Sequence, residues 1–210
     1  MSSVFDPKYQ ETSIESKIVA ALERVSEAFR VMLWNENKKH NLSPLQIQIL
    51  IFLYFHDSSK STVTYLANEF NMTKATISDA IRVLVKKGYI KREKSQEDSR
   101  CAFLSLTEHG HQVADEVSHF ANTMKKNVEE LHQENKELFL CSLLDLISNL
   151  QQQGILSISR MCYSCAYFQN GTLGKHCGYC NRREAPISQG EFKVDCASHQ
   201  QFPKENDRKD

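Results

Sequence analysis

The stretch TKATISDAIRVLVKKGYIKREKSQEDSRCAFLSLTEHG, residues 73–110, decides the fold. Its first part repeats apolar residues at helical spacing, with Thr73 placed to cap the helix and Gly88 placed to end it. YIKREKS and CAFLSL have the composition of strands, and the polar segment QEDSR separates them. We therefore predict a helix followed by a β-hairpin with a charged tip. The apolar stripe of the helix consists of Ile77, Ile81, Leu84 and Val85.

A shorter helix is predicted just before this stretch, in TVTYLANEF. Its apolar residues recur at helical spacing, and Asn71 suits a tight turn because Asn tolerates the left-handed conformation. Two short helices joined by such a turn are typical of a helix-turn-helix. The residues expected to face inward are Val63, Leu66, Ala67 and Phe70.

Longer helices are predicted on the N-terminal side. Apolar residues recur every three or four positions from Ile14, which indicates an amphipathic helix to about Trp34 that the polar NENKKHN ends. Ser43 and Pro44 then mark a helix start, since Pro is favoured at the first helical position. The segment that follows, LQIQILIFLYF, is apolar nearly all round and is expected to be a buried central helix.

On the C-terminal side, helical spacing extends from Thr107 to about His132, and again from Leu138 to Leu150. Gly154 closes the regular part of the chain. The composition of the chain then changes: Cys, Gly, Asn and Gln become frequent, and the last residues are polar. We predict three parts: a mainly helical domain over 10–155, a cysteine-rich extension over 160–200, and a disordered tail over 201–210.

The charge distribution favours a nucleic-acid partner. The formal net charge of the chain is zero, but nine Lys and Arg against five Asp and Glu lie between Lys60 and Arg100. Positive charge gathered at one end of a neutral protein still attracts a polyanion. Short hydroxyls and cations off the apolar stripe and on the hairpin are the groups that contact phosphates and base edges. The candidates are Thr73, Lys74, Thr76, Ser78, Arg82, Lys86, Arg92 and Arg100.

Residues 73–110 closely resemble the MarR family of winged-helix transcription regulators. The resemblance covers about residues 10–155 and implies that they form a winged-helix DNA-binding and dimerisation domain. The most specific element is Asp98-x-Arg100 followed by LSLTEHG, an L-x-L-T-x-x-G sequence. The resemblance implies that Arg100 contacts the minor groove or a phosphate and that Asp98 orients it. It implies Thr73–Lys87 as the recognition helix.

Members of this family are homodimers joined by their N- and C-terminal helices, here Ile14–Trp34 and the pair within Thr107–Leu150. The resemblance therefore implies a palindromic site read in successive major grooves about 34 Å apart. The predicted fold class is mainly α: a winged helix-turn-helix domain with long dimerisation helices and a small cysteine-rich C-terminal extension. We expect a repressor, and a small-molecule effector is a further candidate partner.

The cysteine-rich extension predicts a metal site. Four of the seven cysteines fall within residues 161–180 as two Cys-x-x-Cys pairs, Cys162/Cys165 and Cys177/Cys180, and Cys196-x-x-His199 follows. Four thiolates suit tetrahedral zinc or an iron–sulfur cluster, and zinc is the expected metal. Redox-active thiols without a metal, or cysteines with no role, are the remaining alternatives. A segment with little apolar content needs metal binding to fold, since burial alone does not stabilise it.

There are more candidate ligands than positions. The simplest set is Cys162, Cys165, Cys177 and Cys180. The rival set replaces Cys180 by Cys196, because Val194–His199 resembles a final Asp-Cys-x-x-His found in tails of some winged-helix regulators. All five cysteines are candidates, with Cys162, Cys165 and Cys177 ranked first. His176 and His199 are expected beside the metal or on the surface, and Cys101 and Cys141 are expected to be buried thiols.

Other function classes are less favoured. No apolar run reaches the roughly 18 residues of a membrane span, and the N-terminus lacks the apolar core of a signal peptide, so we expect a cytoplasmic protein. An enzyme is not expected. A thiol–disulfide oxidoreductase would carry its Cys-x-x-Cys at a helix N-terminus after a strand. An interaction adaptor with a winged helix that no longer binds DNA is the third alternative.

Overall fold

The structure is a computed structural model that describes residues 3–94, 102–158, 160–171 and 177–201. Asp98, Arg100, Cys101 and His176 lie outside the described residues, and so does the tail from residue 202. The described chain has the following helices and strands: α1 (Pro7–Gln10), α2 (Ile14–His40), α3 (Pro44–Phe55), α4 (Val63–Glu69), α5 (Lys74–Lys86), β1 (Ile90–Lys94), β2 (Ala102–Leu106), α6 (Glu108–Ser118), α7 (Asn122–Glu129), α8 (Gln133–Gln152), β3 (Phe168–Asn170), β4 (Gly178–Cys180) and β5 (Ala185–Ile187).

These elements form two compact units. The first contains Met1–Thr62 and Ser78–Lys125, and the second contains Val63–Ile77 and Lys126–Asp210. The cysteine-rich extension therefore belongs to the same unit as α4, the turn after it, the first residues of α5, and α8.

Helix α2 is longer than predicted. It starts at Ile14 and is capped by Ser13, whose hydroxyl accepts a hydrogen bond from the Ser16 N–H at 3.1 Å. It continues to His40 rather than ending at Trp34. The prediction failed because NENKKH is polar but still forms a helix. Its basic residues lie in the last turn, where they interact favourably with the helix dipole. The helix ends at Asn41, which takes the left-handed conformation with φ 52°.

Helix α3 confirms the predicted start and burial. Ser43 and Gln46 form a reciprocal capping box, and Pro44 occupies the first turn. The helix packs against α2, α6 and β2 within the first unit. Its buried residues are Gln46, Ile47, Ile49, Leu50 and Phe52.

The helix-turn-helix also follows the prediction. Asn71 lies in the turn between α4 and α5 with φ 50°, and Gly88 lies after α5 with φ 75°. Both residues tolerate this left-handed geometry, which reverses the chain at each point. Val85 is the exception to the predicted apolar stripe, because it is exposed and Ala80 is buried instead. The buried residues of α5 are Ile77, Ala80, Ile81 and Leu84.

The hairpin is confirmed, and the helix after it is divided. Strands β1 and β2 pair antiparallel, with Ile90 opposite Leu106 and Lys94 opposite Ala102. The single helix predicted from Thr107 to His132 is instead α6 and α7, separated by a 3₁₀ turn at His119–Ala121. The continuous apolar spacing predicted the helical conformation but not this change of hydrogen-bond pattern.

The extension packs against α8 through an apolar cluster to which both contribute. Strands β3, β4 and β5 form a small antiparallel sheet in that order. Short 3₁₀ turns at Cys162–Ser164 and Gln189–Glu191 contact α8. The cluster consists of buried Leu144, Met161, Cys162, Ile187 and Phe192, with Leu140, Ile147, Tyr163, Phe168 and Cys180 packed against it.

Candidate DNA interface and cysteine cavity

The N-terminus of α5 presents three of the candidate side chains to solvent. Thr73 caps the helix, since its Oγ1 accepts a hydrogen bond from the Thr76 N–H at 3.1 Å. The hydroxyls of these two threonines lie 2.9 Å apart. Thr73, Lys74 and Thr76 are all exposed. A capped helix end with exposed hydroxyls and a lysine has the donors that contact phosphates and base edges.

The later candidates on α5 and β1 are also accessible. Arg82 is 75% exposed and pairs with Asp79 at 2.9 Å on the same helix. Lys86 and Arg92 are exposed, whereas Ser78 is half-buried. An exposed ion pair such as that of Arg82 contributes little to stability, so Arg82 can exchange its partner for a phosphate at small cost.

The hairpin is fixed at the middle of β2 by Ser61, which is 2% exposed. The Leu104 N–H donates to the Ser61 carbonyl oxygen at 3.0 Å, and the Ser61 hydroxyl donates to the Ser58 carbonyl at 2.6 Å. At the exposed edge of the hairpin, hydrogen bonds from Lys91 and Ser105 lower the pKa of Glu93. These contacts hold Arg92, on the strand between them, in a defined register opposite Leu104.

Thr107 explains the L-x-L-T-x-x-G sequence in physical terms. Its backbone N–H donates to the Tyr89 carbonyl at 3.0 Å, and its hydroxyl donates to the Gly88 carbonyl at 2.6 Å. The same hydroxyl accepts from the Gly110 N–H at 3.0 Å, which caps α6. One side chain therefore joins the end of α5 to the start of α6 and sets the base of the hairpin.

Arg160 is a buried arginine with several charged partners that the sequence did not indicate. Its side chain is 8% exposed and lies between the carboxylates of Glu69 and Asp195. Hydrogen bonds with Asp195, and then with Glu69 and Tyr65, raise the pKa of Arg160 further above its ordinary value although burial opposes this. Arg160 lies in a segment without regular secondary structure, and its partners are far from it in the sequence. No local sequence pattern therefore indicates these contacts.

The structure brings four of the five candidate metal ligands to one cavity. Cys162, Cys165, Cys180 and Cys196 line a cavity of about 180 Å³, together with Arg182 and Arg183. Burial raises the pKa of Cys162, and the nearby Cys196, Cys165 and Cys180 raise it further. Cys177 lines a different cavity, with Gly171 and Pro186. The arrangement thus combines parts of both ligand sets that the spacing left open.

The side chains that line the cavity include thiols, which are good metal ligands, but they are not arranged around a single metal position. In the described ranges, no group of three or more His, Cys, Asp or Glu side chains is placed to hold a metal ion. The six described cysteines are thiols. His199 directs its ring nitrogen Nε2 to the hydroxyl and carbonyl oxygens of Ser164, at 3.1 and 3.0 Å. Cys141 is buried within α8, as predicted.

The surroundings of the Cys-x-x-Cys pairs differ from those of a thiol–disulfide oxidoreductase. Cys162 opens a three-residue 3₁₀ turn rather than an α-helix, and Cys180 lies in β4. Burial raises the pKa of Cys162, whereas a catalytic thiol in such enzymes has a lowered pKa.

Gly178, in the second Cys-x-x-Cys pair, packs closely against Phe168. A Cβ at this position would lie 2.2 Å from the Phe168 ring, so the site requires a glycine because of its close packing rather than because of a turn.

Comparison with known proteins supports the architecture. A sequence model of the MarR family matches residues 40–100. The transcriptional repressor YetL of Bacillus subtilis is 27% identical over 157 residues, which cover 69% of this chain and 93% of YetL. The regulator SarZ of Staphylococcus haemolyticus is 24% identical over 112 residues, which cover 53% of this chain and 74% of SarZ.

Solved structures agree. The Staphylococcus aureus MepR–DNA complex matches with a TM-score of 0.57 and 22% identity, over 63% of this chain and 97% of that chain. A MarR protein from Peptoclostridium difficile matches with a TM-score of 0.59 and 20% identity, over 68% of this chain and 92% of that chain. The fold is a MarR-type winged helix.

Two further points follow from these comparisons. YetL and SarZ are named as transcription regulators rather than enzymes, which agrees with the expectation that this chain is not an enzyme. Each match also leaves about a third or more of this chain uncovered, so the cysteine-rich extension draws no support from them. Among the described residues, no helix is long and apolar enough to cross a membrane.

Proposed function

We propose that this protein is a transcription regulator that binds double-stranded DNA as a homodimer and acts as a repressor. The observation that carries the proposal is the exposed, capped N-terminus of α5, with Thr73, Lys74 and Thr76. The likeness to YetL, SarZ and the MepR–DNA complex supports the same function. A cytoplasmic location fits a protein that must reach chromosomal DNA.

Helical spacing supports α5 as the element that enters the major groove. Lys74, Ser78, Arg82 and Lys86 recur every four residues, so they follow one row along the helix surface. The buried Ile77, Ile81 and Leu84 lie on another face. A helix with a cationic, hydroxyl-bearing face and an opposite apolar face can dock in a groove while its other side stays packed.

Exposed apolar side chains support the homodimer. On α2, Ile14 is 63% exposed and Ile18 is 49% exposed. On α8, Leu138 is 61% exposed and Phe139 is 47% exposed. Long helices with uncovered apolar faces are stabilised by association with a second copy of the same surface. Two copies of α5 in such a dimer would read two half-sites of a palindrome.

Selection from a random duplex library tests the DNA-binding proposal. The wild-type protein should enrich a palindromic sequence with half-sites about one helical turn apart. Lys74→Ala should weaken binding of the selected duplex, whereas Lys126→Ala, at an exposed lysine of α7, should not. Failure to enrich any duplex at low salt would contradict the proposal.

We further propose that the extension holds a metal through Cys162, Cys165, Cys180 and Cys196, with zinc expected and an iron–sulfur cluster as the alternative. All four thiols line one cavity, and Arg182 and Arg183 on the same cavity would offset the negative charge of four thiolates. The side chains would have to close around the metal, because the described donors are not grouped to hold one ion.

Metal analysis of protein purified without oxygen tests this second proposal. Zinc or iron should accompany the wild-type protein in a fixed ratio to chain. Cys196→Ser should lose most of it, and Cys177→Ser should retain it, because Cys177 lines a separate cavity. Metal-free wild-type protein would contradict the proposal, and loss of metal in Cys177→Ser alone would contradict the ligand set.

A further inference from the structure

Arg160 joins the extension to the helix-turn-helix through all five of its guanidinium N–H donors. Nε and Nη2 donate to the Asp195 carboxylate at 2.7 and 2.9 Å. Nη2 and Nη1 donate to the two oxygens of Glu69, the first at 3.0 Å, and Nη1 also donates to the Tyr65 hydroxyl at 3.1 Å. Tyr65 and Glu69 lie on α4, whereas Asp195 lies in the extension. A planar guanidinium held by two carboxylates fixes orientation as well as distance.

A second contact reaches the turn itself. The backbone N–H of Ser157 donates to the side-chain oxygen of Asn71 at 3.0 Å, and the Ser157 hydroxyl donates to the same atom. Asn71 is the left-handed residue between α4 and α5. The segment that precedes the cysteines therefore holds both α4 and the turn that leads to Thr73 and the exposed end of α5.

The other side of Arg160 leads directly to the cysteine cavity. The Cys196 N–H donates to the Arg160 carbonyl at 2.9 Å, and Arg160 and Asp195 form a parallel β-bridge. Cys162 is two residues beyond Arg160, and its N–H donates to the Lys193 carbonyl at 3.2 Å. Arg160 thus belongs to the chain segment that carries Cys162 and is hydrogen-bonded to the segment that carries Cys196, so a change in the separation of these segments acts on it.

We propose that Arg160 is a positioning residue for DNA recognition, which orients α4 and the turn and makes that orientation depend on the state of the thiols at the cavity. This inference rests on the proposed DNA-binding function. Recognition requires the first residues of α5 to meet base edges in a fixed orientation, and the turn sets that orientation. An element held by one ion-pair centre and one turn contact responds to a displacement of either.

Arg160→Met tests the positioning role, with the duplex selected by the wild-type protein and a random duplex as probes. We expect affinity for the selected duplex to fall about tenfold while affinity for the random duplex changes less, so the ratio of the two falls. Arg160→Lys, which keeps the charge but not the planar fork, should fall between. A merely destabilised protein would lose active fraction without changing the ratio.

Controls separate the outcomes. Arg24→Met removes an exposed arginine that pairs with Glu27 at 2.7 Å, and it should leave the ratio unchanged. If Arg160→Met does not fold, Asn71→Gly keeps the left-handed turn but removes the contact with Ser157, and it should lower the ratio about threefold. An unchanged ratio in folded Arg160→Met would overturn the positioning role. Failure of the wild-type protein to select any duplex would instead defeat the proposed function.

Diamide tests the dependence on the thiols. Two thiols at the cavity form one disulfide, and the two electrons and two protons they lose reduce diamide to the hydrazine. We expect this oxidation to change affinity for the selected duplex by at least about fivefold in the wild-type protein and by less in Arg160→Met. Dithiothreitol should reverse the change. Equal affinity of the reduced and disulfide-containing wild-type protein would overturn the dependence on the thiols.

Discussion

The carbonyl oxygen of Tyr89 lies 1.9 Å from the position that a Cβ on Gly110 would occupy. The start of α6 therefore approaches the chain between α5 and β1 more closely than any other residue type permits. This contact gives the glycine of the L-x-L-T-x-x-G sequence a steric reason. It also holds Thr107 where its hydroxyl reaches both Gly88 and Gly110.

Gly110→Ala should destabilise the protein by about 2 kcal/mol or more, because the obstructing atoms are backbone and cannot rotate away. Urea unfolding followed by circular dichroism measures the change. Gly190→Ala is the control, since its Cβ would meet only the flexible Glu137 side chain at 3.4 Å. Equal midpoints for Gly110→Ala and the wild-type protein would contradict the close approach.

The start of α3, the helix-turn-helix and the hairpin were predictable from sequence because local signals set them. Caps at Ser43 and Thr73, the left-handed Asn71 and Gly88, and regular apolar spacing each act within one turn of chain. The end of α2 was not predictable from polarity, since polar residues with good helix propensity extend a helix as well as end it. Asn41 was the informative residue there.

The site was predictable in part. Spacing identified the cysteines as candidate metal ligands, but it did not show which of them share a cavity. That depends on how β3, β4 and the segment around Cys196 pack on α8. Arg160 was missed altogether because Glu69 and Asp195 lie far from it along the chain. Residues whose partners are brought together only by tertiary packing leave no periodic trace in a sequence.

Thr76→Ala and Lys74→Ala should affect DNA binding in different ways. Lys74 is expected to contact phosphate, so its removal should weaken binding of all duplexes and reduce the salt slope by about one. Thr76 is exposed at the N-terminal end of α5, where we expect base edges to be read, so its removal should relax sequence preference more than it lowers affinity. Fluorescence anisotropy with selected and random duplexes measures both. Identical effects of the two substitutions would contradict this division of roles.

Ile18→Glu should weaken the proposed homodimer. Ile18 is 49% exposed on α2, so a glutamate is tolerated by the folded subunit but is costly when a second copy covers it. We expect the dissociation constant of the dimer to rise at least about tenfold. Sedimentation velocity measures it, with Ser26→Glu at an exposed polar position of the same helix as control. An unchanged dimer would exclude this face of α2 from the interface.

Cys141 should resist alkylation in the folded protein. It is fully buried, and burial, followed by the charges of Asp145 and Glu137, raises its pKa. The Cys141 thiol therefore stays mostly protonated at about pH 8.5, where an exposed cysteine is half ionised. Mass spectrometry after iodoacetamide at pH 8 should find Cys141 modified only in urea. If Cys141 in the folded protein were modified as fast as an exposed thiol, the result would contradict its burial.

The raised pKa also sets a pH dependence. Because the folded state favours the protonated thiol, its contribution to stability is present below the unfolded pKa and is lost as pH rises through the folded value. The free energy of unfolding of the wild-type protein should therefore fall more steeply above about pH 8.5 than that of Cys141→Ala. If the free energies of unfolding of the two proteins changed with pH in parallel, Cys141 would have the same pKa in the folded and unfolded states.

One titration tests the central claim most directly: the mass and salt dependence of the complex between the purified protein and its selected palindromic duplex. Analytical ultracentrifugation should find two chains per duplex, and the affinity should fall steeply between about 50 and 200 mM salt as phosphate contacts are screened. Replacing one half-site should abolish the specific complex. A single chain bound per duplex, or an affinity indifferent to both salt and the second half-site, would contradict the account.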